Sequence, residues 1–340
     1  MRRFLFYFIA MTICSTGITA CGSSDDFIED LFIRTDTIFS HDTIIHTDTT
    51  FLNGDTIIHI DTIVKNDTLI HKDTIKRSDI IISYYMDQIE GSTSVQGADP
   101  YNNYLFQFQH SNSKVFIYDI EEKRQIGIVT LKAVSSNHCN TVSFSNLFYE
   151  ETDPFPLLYV SGSQTGTYNH VQVYRILKDT LNFSIKKIQE ISLPVATQTN
   201  YLYWTGAVID KTNNYMYIYA NSNGAQIAKF NIPDIEKPNI TLTDDDILEQ
   251  FSLPSFTHQH SACIKDSLLY VMDGVPNWGD INYLRIIDLK NKKDYRIINL
   301  TELGYGRIEF ESISTYNDGF ILTTNNNRGF YSLKINSRNE

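Results

Sequence analysis

The sequence predicts an all-β protein built as a β-propeller, in the first instance five-bladed, and three observations carry that expectation. One strand–turn–strand layout occurs five times, at Gln96 to Gln107, Asn140 to Gly162, Tyr203 to Ala220, His260 to Gly274 and Glu311 to Thr324, spaced by about 44 to 65 residues. The chain carries 21 Tyr and 20 Phe in 340 residues, and much of it alternates by twos, the period of a strand. The fifth copy ends without an outer strand, while Ile80 to Met86 is a strand with no neighbour in sequence. Pairing the two closes the ring and removes an open edge.

Each copy can be read strand by strand. The first has Tyr104 to Phe108, Lys114 to Ile120, a Glu-Glu-Lys-Arg turn and Gln125 to Leu131, a blade ending in its outer strand. The second has Leu157 to Ser161 and Val171 to Ile176, and the third Tyr215 to Ala220 and Ala225 to Asn231. The fourth has Leu268 to Met272 and Tyr283 to Leu289, and the fifth Gly319 to Thr324 and Gly329 to Ile335. Six blades stay open if the longer second unit holds a split blade. Thr243 to Gln250 departs from the pattern: Thr243 with Asp246 reads as a capping box, with acids near a helix start. An acidic triplet can bind calcium, but one short run supplies too few oxygens.

The chain opens with Met1-Arg2-Arg3 and an apolar run from Phe4 to Ile13, too short for a span, leading into Ile18-Thr19-Ala20-Cys21. This resembles the lipobox of bacterial lipoproteins, which implies cleavage before Cys21, lipid chains on Cys21 and attachment to a membrane without crossing it. An ordinary signal peptide is the competing reading. Gly22-Ser-Ser-Asp-Asp26 with Glu29 and Asp30 resembles the export signal of Bacteroidota surface lipoproteins, implying an outer-membrane, cell-surface location. The propeller-like body, residues 80 to 340, is in turn similar to the β-propeller lipoproteins of that group. The expected organisation is a signal peptide over 1–20, a linker and repeat stalk over 21–79, and a propeller over 80–340.

The stalk carries Asp at 36, 42, 48, 55, 61, 67, 73 and 79, six apart except for one step of seven at Asn53-Gly54. Even spacing keeps Asp on one face of a strand, and Asn-Gly is a type I′ turn signal, so a long hairpin is one reading. An extended spacer is the other. Thr37, Thr43, Thr49, Thr56, Thr62, Thr68 and Thr74 each follow an Asp and precede Ile, Thr or Leu. The triplet is similar to the O-glycosylation sequon of Bacteroidota, implying a stalk stiffened by sugars.

Net charge is −12 with no long basic run, so nucleic acid is excluded as a partner class. Gly-x-Ser-x-Gly, His-Glu-x-x-His and phosphate-cradling glycine loops are absent. Cys139 and Cys263 fall on different blades, too distant for a disulfide, and read as small buried hydrophobes. In a propeller the first strand of each blade lines the channel. Those strands carry Gln96, His138, Asn140, Trp204, His258, His260, Glu309 and Glu311. Period-two spacing pairs His138 with Asn140, His258 with His260, and Glu309 with Glu311 on common faces. If they turn inward, imidazoles, carboxylates and an indole meet at one end of the channel, as a polar pocket or a metal site. The competing reading is a wet channel filled by polar side chains. Two functions follow: a surface module binding a glycan, peptide or protein, or a calcium- or zinc-dependent hydrolase or lyase using His138, His260, Glu309 and Glu311.

Overall fold

A computed structural model describes residues 32–40, 43–52, 55–64, 74–76, 79–88, 95–110, 114–131, 139–162, 170–180, 182–193, 206–221, 224–325 and 329–336. The chain divides into two compact units, Met1–Ser78 and Asp79–Glu340. Among the described residues no helix is long and apolar enough to cross a membrane.

In the first unit β1 (Phe32–Ser40), β2 (Thr43–Leu52), β3 (Asp55–Val64) and β4 (Thr74–Lys76) form an antiparallel sheet in that order. β2 and β3 pair along their whole length, from Thr43 opposite Val64 to Leu52 opposite Asp55, and Asn53-Gly54 lies outside the described residues. The hairpin is the arrangement found here, rather than a single extended spacer. Of the sequon threonines, Thr37 lies on β1, Thr43 and Thr49 on β2, Thr56 and Thr62 on β3, and Thr74 on β4. Thr68, Cys21 and the signal segment lie outside the described residues.

The second unit is a ring of five sheets, the arrangement of a five-bladed propeller. β5 (Ile80–Met86) comes first in sequence but last in the ring. The first blade is β6 (Val95–Tyr101), β7 (Tyr104–Gln109), β8 (Lys114–Asp119) and β9 (Arg124–Thr130). The second is β10 (Thr141–Phe144), β11 (Leu158–Gly162), β12 (His170–Lys178) and β13 (Phe183–Ser192). The third is β14 (Gly206–Asp210), β15 (Tyr215–Asn221) and β16 (Ala225–Asn231); then β17 (Asn239–Thr241) joins β13 in parallel, and β18 (Ile247–Leu253) completes the third blade. The fourth is β19 (Gln259–Lys265), β20 (Leu268–Asp273), β21 (Tyr283–Asp288) and β22 (Lys293–Asn299). The fifth is β23 (Phe310–Tyr316), β24 (Gly319–Thr324), β25 (Phe330–Ile335) and β5. The longer second repeat therefore holds one blade, and the described residues form five blades in the ring.

Closure is as the sequence predicts: β5 pairs with β25, from Ile80 opposite Ile335 to Met86 opposite Phe330. Inner strands β6, β10, β14, β19 and β23 each adjoin the next, and β23 adjoins β6. The core is five apolar clusters, one between each pair of neighbouring blades. Successive residues of one strand feed different clusters: Tyr159 packs toward the third blade, while Leu158 and Val160 pack toward the first. Period two with both faces buried is why these strands read as nearly continuous apolar runs.

The helix expected over Thr243 to Gln250 is corrected. The Thr243–Asp246 capping box exists, with the Asp246 carboxylate accepting from Thr243 N–H at 2.7 Å, but it caps only a 3-10 turn, Asp244–Asp246. Ile247–Leu253 is instead outer strand β18, paired with β16 and alternating half-buried with exposed. The ladder offered by β16 prevails over the local helix-start signal, because an uncovered β16 would leave an open edge.

Candidate functional site

A cavity of about 230 Å³ opens at one end of the ring, where the inner strands begin and the second strands end. The first blade contributes Gln96 and His110, the second Asn140, and the fourth His258, Gln259, His260, Val275 and Trp278. The fifth contributes Glu309, Glu311 and Asn325. The corresponding stretch of the third blade, residues 201–205, lies outside the described residues, as do Trp204 and His138.

Three inner strands carry an extra residue at this end. On β6, Val95 faces Gln109 but Ala98 faces Gln107; on β19, Gln259 faces Asp273 but Ala262 faces Val271; on β23, Phe310 faces Thr324 but Ser312 faces Thr323. The bulges fall at Gln96-Gly97, His260-Ser261 and Glu311, and they break the two-residue alternation where side chains are turned into the cavity. Backbone groups released from the ladder bond between blades. Gly97 N–H donates to Cys139 O at 2.8 Å, a contact so close that a Cβ on residue 97 would lie 2.6 Å from that oxygen. His260 O accepts from the Tyr219 hydroxyl at 2.7 Å, and that hydroxyl meets Thr141 Oγ1 at 2.5 Å. Tyr219 of the third blade thereby ties the second to the fourth.

The bulges on β19 and β23 bring His260 beside Glu311, Nδ1 to Oε2 3.3 Å, with the carboxylate side chain 2% exposed. The contact is an ion pair rather than an aligned hydrogen bond, since Glu311 Oε2 has no aligned donor. His260 Nε2 faces Gly274 O at 3.1 Å. With an oxygen acceptor at each nitrogen, the ring is suited to carry two protons. Burial alone would push His260 down; the Glu311 contact, the charges of Glu311 and Glu309, and the Gly274 carbonyl outweigh it and raise its pKa.

Glu309 is raised by burial and by the like charge of Glu311, against the opposing pull of His260. Its Oε2 accepts from Asn277 Nδ2 at 3.2 Å and Asn325 Nδ2 at 3.5 Å, both neutral donors. At the rim, His258 Nδ1 meets Asp280 Oδ2 at 2.7 Å, and that oxygen also accepts Val275 N–H at 3.0 Å. The Trp278 ring stands edge-on to His258, centroids 5.1 Å apart, and is 67% exposed. Burial pushes His110 down, opposed by Glu311.

Of the residues singled out in the sequence, Gln96, Asn140, His258, His260, Glu309 and Glu311 line this one cavity. Sequence reasoning missed His110, Gln259, Val275, Trp278 and Asn325. Except for Gln259, which opens inner strand β19, and Trp278, these lie just beyond the ends of second strands β7, β20 and β24. A hairpin returns the end of its second strand to the start of its first, so pairing each inner strand with its partner would have found them. Trp278 sits in the 3-10 turn Pro276–Trp278, and the Pro-Asn-Trp-Gly turn was its signal. Among the described residues, no group of three or more His, Cys, Asp and Glu is placed to hold a metal ion. Cys139 and Cys263 are free and buried, and burial pushes the Cys139 thiol up to about 12.

No family model and no curated protein matches the chain. Solved structures do resemble it. Glutaminyl cyclase of Myxococcus xanthus aligns at TM-score 0.48 and 8% identity over 76% of this chain and 97% of that one. A DUF4623 family protein from Bacteroides eggerthii aligns at 0.41 and 12% identity, over 86% and 66%. The tail fibre of Staphylococcus aureus phage P68 aligns at 0.44 and 10% identity, over 76% and 53%. At this level the resemblance concerns the course of the chain alone.

Proposed function

We propose that the protein is a ligand-binding β-propeller displayed at the cell surface, lipid-anchored through Cys21 in the outer membrane and carried on an O-glycosylated stalk. The observation that carries the binding reading is the cavity at the bulged end of the ring. Four blades supply side chains to it, and it combines carboxylates, imidazoles, amides and an indole. A concave site with a few convergent polar groups and perturbed ionisations is where a propeller would take a small ligand. At about 230 Å³ it is smaller than the roughly 300–1,000 Å³ of drug-sized pockets. The module therefore takes a small molecule, or one terminal residue of a glycan or peptide.

The test is thermal unfolding of the whole chain against mono- and oligosaccharides, short peptides and small metabolites, since a ligand bound by the folded form alone raises the midpoint. A shift that disappears in Trp278→Ala supports the reading; no shift from any compound class ends it. The anchor is checked separately: cells fed a clickable fatty acid should label the protein and not its Cys21→Ser variant.

A second reading is acid–base turnover. His258 is oriented through Nδ1 by Asp280, and Glu309 is held toward its protonated form, so the cavity has a candidate base and a candidate acid. A rate with any of the bound compounds that falls at least a hundredfold in both His258→Gln and Glu309→Gln would establish it. Binding without conversion would rule it out.

A further inference from the structure

The charges in the cavity do not balance. Glu311 and Glu309 share one raised imidazole, His260, which pairs with Glu311, while the second imidazole that faces Glu311, His110, is pushed by burial toward its neutral form. Among the described residues the hydrogen bonds to Glu309 come from amide donors, both on Oε2. Among the described residues no Lys or Arg lines the cavity. Glu311 Oε2, almost fully buried, has no aligned donor among the described residues. Hydrogen-bond acceptors are thus in excess of donors at the floor, which is costly in a buried place unless a bound group supplies the donors. Beside the carboxylates stands an apolar wall of Val275 and the Trp278 indole, whose face attracts a cation. An anionic guest would meet two carboxylates, and a neutral one would leave Glu309 without a counter-ion.

We propose that the cavity binds a protonated primary amine on a small apolar or aromatic body, with Glu309 as its counter-ion and Trp278 as its aromatic wall. This rests on the reading of the cavity as a ligand site and names the class of ligand. Size fits: a dry cavity of roughly 150 Å³ holds benzene, so about 230 Å³ accepts a single ring with an aminomethyl group.

The proposal has a proton signature. The titratable groups facing Glu309 are Glu311 on β23 and His260 on β19; His110, beyond β7, faces Glu311, and His258 with Asp280 forms the rim. In the empty site Glu309 is held toward the protonated form. An ammonium group favours its carboxylate, so binding releases a proton and tightens as pH rises through the raised Glu309 value.

The experiment is calorimetric titration of the whole chain with benzylamine, benzyl alcohol and benzoate, in two buffers of different ionisation heat. Benzylamine should bind at least tenfold more tightly than benzyl alcohol, benzoate should be weakest, and benzylamine alone should release protons. Glu309→Gln should weaken benzylamine about tenfold, leave benzyl alcohol unchanged and abolish the proton release. Trp278→Leu, at an exposed position, should weaken benzylamine severalfold in a chain that still unfolds as the parent does. Benzyl alcohol or benzoate binding as well as benzylamine overturns the amine and leaves the cavity a ligand site. Absence of binding by all three also overturns it, and the broader panel above then decides the fate of the cavity by itself.

Discussion

The two ends of the ring are built from the same inner strands and treat charge in opposite ways. At the end opposite the cavity, Asp99 of β6 is buried and paired across blades: its Oδ2 accepts Phe144 N–H of the second blade at 2.7 Å and Lys211 Nζ, just beyond β14, at 3.0 Å. Asn146 Nδ2 donates to Lys211 O, and Ser143 Oγ accepts Ile209 N–H at 3.1 Å. Here the strands are regular and polar groups lock one blade to the next. At the cavity end three bulges interrupt the strands, and Glu309, Glu311 and Trp278 line the cavity. The difference teaches that at one end the charged group is paired across blades, whereas at the other Glu311 Oε2 has no aligned donor among the described residues. Burial raises the Asp99 carboxyl despite Lys211 and the Phe144 N–H beside it, so desolvation outweighs the attraction. The group positions blades more than it stabilises them through charge.

That comparison can be broken most directly at Asp99. Asp99→Ala strands Lys211 and the Phe144 N–H, and should cost about 3 kcal/mol in urea unfolding, whereas Asp99→Asn, which keeps an acceptor, should cost about 1 kcal/mol. Equal losses in the two variants would show that the acceptor is not what matters. Next in size is Tyr219, whose hydroxyl bridges three blades. Tyr219→Phe deprives the His260 carbonyl and Thr141 of a partner and should cost about 2 kcal/mol by the same measurement.

A smaller effect lies in the pH dependence. The raised His260 contributes stability that is present below its unfolded value of about 6.5 and is lost as pH rises through the higher folded value. Glu309, also raised, has the same sign: its contribution is complete below about 4.3 and lost as pH rises through the folded value. His110 and His170, both lowered by burial, act oppositely and weaken the fold as pH falls below about 6.5. The unfolding midpoint should therefore decline on both sides of neutrality, and His260→Gln should remove part of the alkaline decline alone. An alkaline limb identical to the parent's would sink the ion-pair account. The smallest stability effect belongs to Glu309→Gln: within about 0.5 kcal/mol of the parent, or slightly stabilising, because it removes like-charge repulsion at a site not optimised for stability.

The architecture was legible because it depends on patterns a single strand carries. The apolar run of Leu157 to Ser161, a missing outer strand after Ile335 and a spare one at Ile80 to Met86 each report local patterning or a count of edges. The two-residue turn at Asp266-Ser267, where both residues have positive φ, is equally local. So are the residue types of the candidate site. Hydrogen-bonding and edge coverage are shared between segments, and those required the folded chain. Ile247–Leu253 is a strand only because β16 lies beside it. His110 and Asn325 reach the cavity only because hairpins bring second strands back to first strands.

What the sequence by itself determined is the all-β class, the closing strand and the set of acids, imidazoles and amides at the starts of the inner strands. These follow from the two-residue period of a strand and from the need to leave no edge open. Only the tertiary structure decided which of those groups face one another. The bulges at Gln96-Gly97, His260-Ser261 and Glu311 each insert one residue, and a shift of one residue turns a side chain to the opposite face. No alternation pattern encodes where such an insertion falls. It is set by the inter-blade bonds that receive the released backbone groups, Gly97 N–H on Cys139 and the His260 carbonyl on Tyr219.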